Sequence, residues 1–144
     1  MHACTFFGHR DCSENIKPIL KKTLIELVKD DVTTFYVGNN GMFDSLAISV
    51  LKSLKKEYSN IDFYIVLAYL PSSGKMIDNE VKTLFPEGIE TVPKKFAIVF
   101  RNIWMIEKID YVVTFVTRPQ GGAAQFYEQS IKKGKKVINL GNIK

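Results

Sequence analysis

Residues 32–54 have the sequence VTTFYVGNNGMFDSLAISVLKSL, and this stretch decides the fold class of the 144-residue chain. Its first six residues are β-branched or aromatic, which predicts a strand over 32–37. The turn GNNG follows at 38–41, and apolar residues then recur at helical spacing: Leu46, Ala47, Val50, Leu51 and Leu54. A strand that passes through a short glycine turn into a helix is typical of a parallel α/β sheet.

The same alternation continues along the chain. Further strands are predicted at Ala3–Phe7, Ile61–Tyr69, Tyr111–Val116 and Val137–Leu140, and further helices after a Ser13 cap, at Phe96–Ile109 and at Gly122–Lys133. The segment from Pro71 to Lys95 lacks this regularity and is predicted to be a loop, with a short helix near Asn79–Leu84. We therefore expect residues 1–144 to form a single three-layer, Rossmann-like, doubly wound α/β domain. Its five-stranded, mainly parallel sheet would have the order 3-2-1-4-5.

Composition excludes several classes of protein. The chain is 46% hydrophobic and 24% charged, which is globular rather than disordered. The longest apolar run, Phe63 to Leu70, is too short to span a membrane, and the first residues lack the basic start of a signal peptide. Two cysteines and two histidines are too few for a disulfide framework or a zinc site. A cytoplasmic protein without a metal or cofactor is expected.

The net charge of +5 favours an anionic ligand, such as a phosphate or a nucleic acid. Much of the excess lies in lysine pairs at predicted helix ends, where cations also offset the helix dipole and keep the surface soluble. The net charge therefore does not by itself identify the ligand.

Ligands of doubly wound sheets bind beyond the carboxyl ends of the strands, which directs attention to three loops. In the first, Gly8 permits a sharp turn, and Arg10 is a candidate for a bidentate bond to phosphate. Alternatively, Arg10 pairs with Asp11 next to it. His9 is either an acid or base, or a plain hydrogen-bonding residue.

The second and third loops each place glycines between a strand and a helix, so that backbone N–H groups can approach a phosphate. The candidate phosphate-binding residues are Gly38, Asn39, Gly41 and Asp44 in the second loop, and Gly121, Gly122 and Ala123 in the third. Asp44 is also explained as a first-turn carboxylate that stabilises its helix.

Two further charged residues lie on helices. Arg101 shares a helix face with Trp104 and Met105, a stripe that core packing also explains. Glu128 lies about one and a half turns into the helix that Gly122 opens, on a side that can face the strand ends, although a glutamate there is normally exposed.

Together these residues resemble a known superfamily. Arg101-Asn102-Ile103-Trp104-Met105 followed by Gly121-Gly122-x-x-x-x-x-Glu128 is similar to the R-K-x-x-M … P-G-G-x-G-T-x-x-E pattern of the Lonely Guy (LOG) phosphoribohydrolases, formerly called lysine decarboxylases. Residues 37–47, VGNNGMFDSLA, are similar to the strand-end loop S-G-x-A-x-G-x-D-x-x-A of DprA. Both belong to the SLOG superfamily of Rossmann-like domains, and the opening FFGHR suits its small stand-alone bacterial members.

The chain departs from the LOG pattern at four positions. Asn102 replaces lysine, Gln120 proline, Ala124 the third glycine and Gln125 threonine. The glycine framework thus agrees better than the full catalytic signature.

The resemblance implies binding of a nucleotide or nucleotide-derived small molecule, by a sensor or an enzyme. If it is an enzyme, the alternative is a nucleoside 5′-monophosphate phosphoribohydrolase, an N-glycosidase in which Arg101 and Glu128 would be catalytic. Single-stranded nucleic acid binding, as in DprA, is a third hypothesis that is not favoured, because the aromatic residues mostly fall within predicted strands. The resemblance also implies a homo-oligomer.

Overall fold

A six-stranded sheet organises the computed structural model, which describes residues 2–69 and 81–141. The strands are β1 (His2–Gly8), β2 (Val32–Val37), β3 (Asp62–Val66), β4 (Lys82–Leu84), β5 (Tyr111–Phe115) and β6 (Lys136–Asn139). All neighbours are parallel, in the order β4-β3-β2-β1-β5-β6. The helices are α1 (Lys17–Lys29), α2 (Met42–Glu57), α3 (Ala97–Glu107) and α4 (Gly122–Lys132). None of the helices in the described ranges is long and apolar enough to cross a membrane.

The predicted doubly wound α/β fold is confirmed, and one element is corrected. The five predicted strands have the predicted order, but a sixth strand, β4, extends the sheet beyond β3. It falls in the segment predicted to be a loop, and the short helix predicted near Asn79–Leu84 is wrong at residues 82–84; residues 79 and 80 lie outside the described ranges. A three-residue edge strand is fixed by pairing with β3 rather than by local periodicity, so its sequence gives no signal.

Both faces of the sheet are covered by helices. Successive side chains of a strand point to opposite faces, and β1 shows this in its consecutive phenylalanines. Phe6 packs against Phe35 and Phe43 in the core beneath α1 and α2. Phe7 stacks on Phe126 of α4, with the two ring centroids 5.4 Å apart. This contact lies in a second core that also contains residues of α3. Helices therefore pack against both faces of β1 near its carboxyl end.

The loops that follow β1, β2 and β5 converge at the carboxyl edge of the sheet. The backbone N–H of Met42 donates to the carbonyl of Arg10 at 3.1 Å, and that of His9 donates to the carbonyl of Phe115 at 3.2 Å. Gly41 has φ of 98°, and a β-carbon there would lie 2.8 Å from the Arg10 Cα. Only glycine combines this conformation with so close an approach.

Candidate functional site

A cleft of about 290 Å³ opens where these three loops meet. It is lined by Phe6, Phe7, Gly8, His9, Arg10, Gly38, Asn40, Asp44, Ile98, Arg101, Asn102, Met105, Arg118, Gly121, Gly122, Ala123 and Phe126. The cleft lies at the carboxyl ends of the strands, where parallel α/β sheets bind ligands.

The N-terminus of α4 forms one wall of the cleft. The first hydrogen bond of this helix runs from the Gln125 N–H to the Gly121 carbonyl, so the N–H groups of residues 122–124 precede the intrahelical ladder. Gly121 has φ of 97°, and no atom of residues 2–69 or 81–141 lies within 4 Å of where a β-carbon would stand at Gly121 or Gly122. Free N–H groups beside open space, at the positive end of a helix dipole, suit an anion.

The opposite wall comes from the loop between β2 and α2. The Asn40 backbone N–H donates to Oδ2 of Asp44 at 2.9 Å. This hydrogen bond joins the loop before α2 to the first turn of that helix. Asp44 is only 8% exposed, and burial raises its pKa to about 6, although the Asn40 N–H and the cations of Arg101 and Arg10 act in the opposite direction. Asp44 is therefore a buried carboxyl whose pKa is raised to about 6.

Arg101 projects from α3 into the floor of the cleft and is 2% exposed. Its Nε donates to Asn102 Oδ1 at 3.0 Å, and its Nη1 donates to Asn39 Oδ1 at 3.3 Å and to the Val66 carbonyl at 3.4 Å. Burial lowers the pKa of the guanidinium, and Asp44 partly restores it. The side chain is thus a buried cation held by neutral oxygen atoms.

Two exposed arginines complete the charge of the cleft. Arg10 follows β1, and Arg118 follows β5. Arg118 Nη2 donates to Asp11 Oδ1 at 3.1 Å, and this hydrogen bond lowers the pKa of the Asp11 carboxyl. The pairing of Arg10 with Asp11 considered from the sequence is wrong, because Asp11 turns toward the β5 loop.

The distribution of arginine is unusual. The chain contains three arginines, at positions 10, 101 and 118, and all three line the cleft. No lysine among the described residues does so. The arginines come from three separate elements, so only the fold brings them together.

His9 joins two of the loops. It is 4% exposed, and its Nε2 accepts a hydrogen bond from the Thr117 backbone N–H at 3.0 Å. Burial lowers its pKa, with a further contribution from the Arg118 cation. Its imidazole therefore acts as a neutral acceptor that holds the β5 loop beside the β1 loop.

The structure brings together most of the residues singled out in the sequence. Gly8, Arg10, Gly38, Asp44, Arg101, Gly121, Gly122 and Ala123 line the cleft. Asn39 and Gly41 do not line the cleft but contact residues that do. Asn39 accepts a hydrogen bond from Arg101, and Gly41 lies against Arg10.

Glu128 does not join this group. It is exposed and lies outside the residues that line the cleft. Residues two positions apart on a helix differ by about 200° in direction. Glu128 therefore points away from the face through which Phe126 packs on Phe7.

Several residues that line the cleft were not predicted as site residues. Arg118 is the most informative, because it follows a strand and precedes the Gly121-Gly122 pair, which is a signal readable in the sequence. Asn102, Ile98 and Met105 lie on α3, and nothing in their spacing distinguishes a cleft from core packing. Within the described ranges, no group of three or more histidine, cysteine or acidic residues could hold a metal ion.

Comparisons with known proteins agree with this architecture. The model of the YspA SLOG family matches residues 2–140. The X-ray structure of DNA processing protein A (DprA) from Streptococcus pneumoniae superposes with a TM-score of 0.69 at 16% sequence identity, a likeness that shows the fold. The match covers 96% of this chain and 50% of that one, so the chain spans half the length of that structure. No curated protein matches the chain.

Proposed function

Since the chain belongs to the YspA SLOG family, we propose that its cleft binds the phosphate group of a nucleotide or nucleotide-derived small molecule. The observation that carries this proposal is the presence of every arginine of the chain in one cleft. Arginine presents a planar fork of N–H donors that matches phosphate oxygens, whereas lysine offers a point charge. If these cations served only to keep the surface soluble, lysines would be expected to line the cleft as well as arginines.

The three arginines and the N-terminus of α4 have complementary roles in this proposal. The N–H groups of Gly122 and Ala123 supply fixed donors, which need no side-chain ordering. Arg101 is already held in place, so it loses little freedom when a phosphate arrives. Arg10 and Arg118 are exposed and steer the anion into the cleft. A volume of about 290 Å³ is near the lower end of small-molecule pockets, which suits a phosphate with its attached sugar.

Calorimetric titration with a panel of nucleoside monophosphates and their nucleosides tests the proposal. We expect the monophosphates to bind and the nucleosides to bind at least ~10-fold more weakly, a difference of about 1.4 kcal/mol. Arg101→Gln should remove most of the difference. Lys108→Gln, which alters an exposed cation at the end of the same helix, should leave it unchanged. Equal affinity for nucleoside and monophosphate would contradict the proposal.

The alternative is a phosphoribohydrolase, which would use water to cleave the N-glycosidic bond and release the free base. The buried carboxyl of Asp44 favours this alternative, because a group that titrates near pH 6 can exchange a proton with a leaving base. The resemblance assigns catalysis to Arg101 and Glu128. An exposed Glu128 fits that role if a second copy of the chain completes the site, as the implied homo-oligomer allows.

Chromatographic detection of free base separates binding from catalysis. Release that is lost in both Glu128→Ala and Asp44→Asn would support the enzyme, and light scattering on the same samples would show whether activity requires an oligomer. Binding without any base released from the panel would support a sensor.

Nucleic acid is the remaining partner to test, because the similar structure is that of a protein named for DNA processing. Two aromatic residues of the predicted strands, Phe35 and Phe63, are buried in the core and cannot stack on bases, whereas Tyr69, Phe85 and Phe96 are exposed. A gel shift of single-stranded DNA that weakens steeply with salt and survives Arg101→Gln would instead indicate a nucleic-acid surface.

A further inference from the structure

Arg101 is a buried cation whose hydrogen-bond partners are all neutral. Its guanidinium is 2% exposed and donates to amide and carbonyl oxygens, none of which carries a charge. Asp44 acts on this cation through space, but among the described residues no carboxylate forms a hydrogen bond with it, so its N–H groups favour the arrival of an anion.

Asp44 is the carboxyl that faces this guanidinium. A β-carbon on Gly38 would lie 3.0 Å from Arg101 Cζ and 3.0 Å from Asp44 Oδ2, so the two groups flank the same glycine. Arg10, from the loop after β1, also acts on Asp44. Among the described residues, the remaining titratable groups that line the cleft are His9 and Arg118, and Tyr69, three residues after β3, acts on Arg101.

An anion bound beside Arg101 therefore comes close to Asp44 as well. Two negative charges in one buried site repel each other, and the repulsion is relieved when the carboxyl takes up a proton. The protonated carboxyl then becomes a hydrogen-bond donor to an oxygen of the ligand. Burial raises the pKa of Asp44 to about 6, so in the free protein the carboxyl is mostly ionised at pH 7 and a modest further rise in pKa is enough to protonate it.

We propose that Asp44 is a specificity-determining residue that couples anion binding in the cleft to the uptake of one proton. This inference rests on the proposed function. It assigns to the site a preference for tetrahedral oxyanions, whose oxygens accept the Asp44 proton while the arginines neutralise the charge. The proton comes from solvent and stays on the carboxyl for as long as the anion is bound.

Sulfate is the probe that tests this inference, because its own charge does not change between pH 6.5 and 8. We expect the affinity for sulfate to fall by up to about tenfold per pH unit in this range, the limit for one coupled proton. Calorimetry at pH 7 in two buffers with different ionisation enthalpies should show uptake approaching one proton for each sulfate bound. Asp44→Asn should abolish both the pH dependence and the uptake. Glu107→Gln, which removes an exposed carboxyl from the same helix as Arg101, should abolish neither.

A titration of the unaltered chain keeps the test independent of whether Asp44→Asn folds. Carbon NMR of the Asp44 carboxyl should show a midpoint that rises when sulfate is added. Binding of sulfate without proton uptake, or uptake that persists in Asp44→Asn, would overturn the inference and leave the proposed function standing. An absence of sulfate binding at every pH would overturn both.

Discussion

Arg101 and Asp44 face each other across Gly38: a β-carbon on this glycine would stand 3.0 Å from Arg101 Cζ and 3.0 Å from Asp44 Oδ2. The glycine thus sets how closely a buried cation and a buried carboxyl approach from two different helices. Gly38 is not among the glycines with positive φ, so its backbone conformation does not require glycine. Glycine matters here only because a side chain would crowd Arg101 and Asp44.

This relationship predicts the effect of Gly38→Ala. The added methyl group should push the Arg101 guanidinium and the Asp44 carboxyl apart and weaken sulfate binding by about tenfold, equivalent to ~1.4 kcal/mol. The free energy of unfolding should fall by only about 1–2 kcal/mol, since the contacts are tight rather than overlapping. Calorimetry and urea denaturation measure the two effects. Unchanged affinity would show that the spacing of the pair is not functional.

Gly8 should be far less tolerant of substitution. A β-carbon at this position would overlap the ring of Phe43, which is 1% exposed and cannot move aside. We expect Gly8→Ala to lower the free energy of unfolding by about 3 kcal/mol, the upper part of the range for overpacking. Urea denaturation provides the measurement.

Gly122→Ala is the matched control for Gly8→Ala. In the part of the chain that the structure describes, no atom lies within 4 Å of its β-carbon position, and alanine is favoured over glycine by up to about 1 kcal/mol in a helix, of which Gly122 is the first residue. This variant should be as stable as the parent or more so. A loss of stability similar to that of Gly8→Ala would mean that the space beside α4 is not open.

The ion pair between Arg118 and Asp11 predicts opposite effects of two substitutions at the mouth of the cleft. Arg118→Gln removes a cation and should weaken sulfate binding, whereas Asp11→Asn frees the guanidinium and should strengthen it, each by about three- to tenfold. Both effects should diminish as salt is added. Both variants should keep the parent stability within about 1 kcal/mol, because exposed pairs contribute little. Weaker binding in both would indicate that the pair acts as a unit.

His9 predicts a pH dependence of stability. Burial lowers its pKa below the ordinary 6.5, so the unfolded chain binds more protons and stability is lost as pH falls through 6.5 toward the folded-state pKa. The loss should not exceed about 1.4 kcal/mol per pH unit. His9→Gln keeps an oxygen that can accept the Thr117 N–H, and it should remove this part of the pH dependence.

The measurement for His9 is the difference in unfolding free energy between the parent and His9→Gln from pH 7.5 to 5.5. Asp44 also contributes to the pH dependence of stability: its raised pKa increases the free energy of unfolding as the pH falls through about 6, which is opposite to the effect of His9. Both proteins contain Asp44, so the difference between them cancels its contribution. Parallel curves for the two proteins would show that the imidazole is not buried as a neutral acceptor.

The sequence predicted the location of the cleft better than its chemistry. Helical and strand periodicity, together with right-handed crossovers, was sufficient to predict the order of five strands and to direct attention to the loops after β1, β2 and β5. The glycine pairs at the starts of α2 and α4 were visible for the same reason, because a chain that turns between a strand and a helix needs glycine where φ is positive.

The roles of individual charged residues were much harder to predict. Arg101 lies on a helix face that core packing explains equally well, and its burial depends on oxygens supplied by residues 39 and 66. Asp11 pairs with a residue 107 positions away rather than with its neighbour. Glu128 had the spacing of a family motif, yet the direction of its side chain depends on how α4 packs on β1.

By itself, then, the sequence determined the succession of elements, the glycine turns and the edge of the sheet at which a ligand would bind, since each of these depends on residues close together in the chain. The tertiary structure alone decided that β4 joins the sheet, that all three arginines share one cleft and that the Asp44 carboxyl is buried opposite a guanidinium. Burial and charge pairing depend on groups that are distant in sequence, and their energies change with separations of a few ångströms. The local sequence pattern does not show how far apart such groups lie in the folded protein.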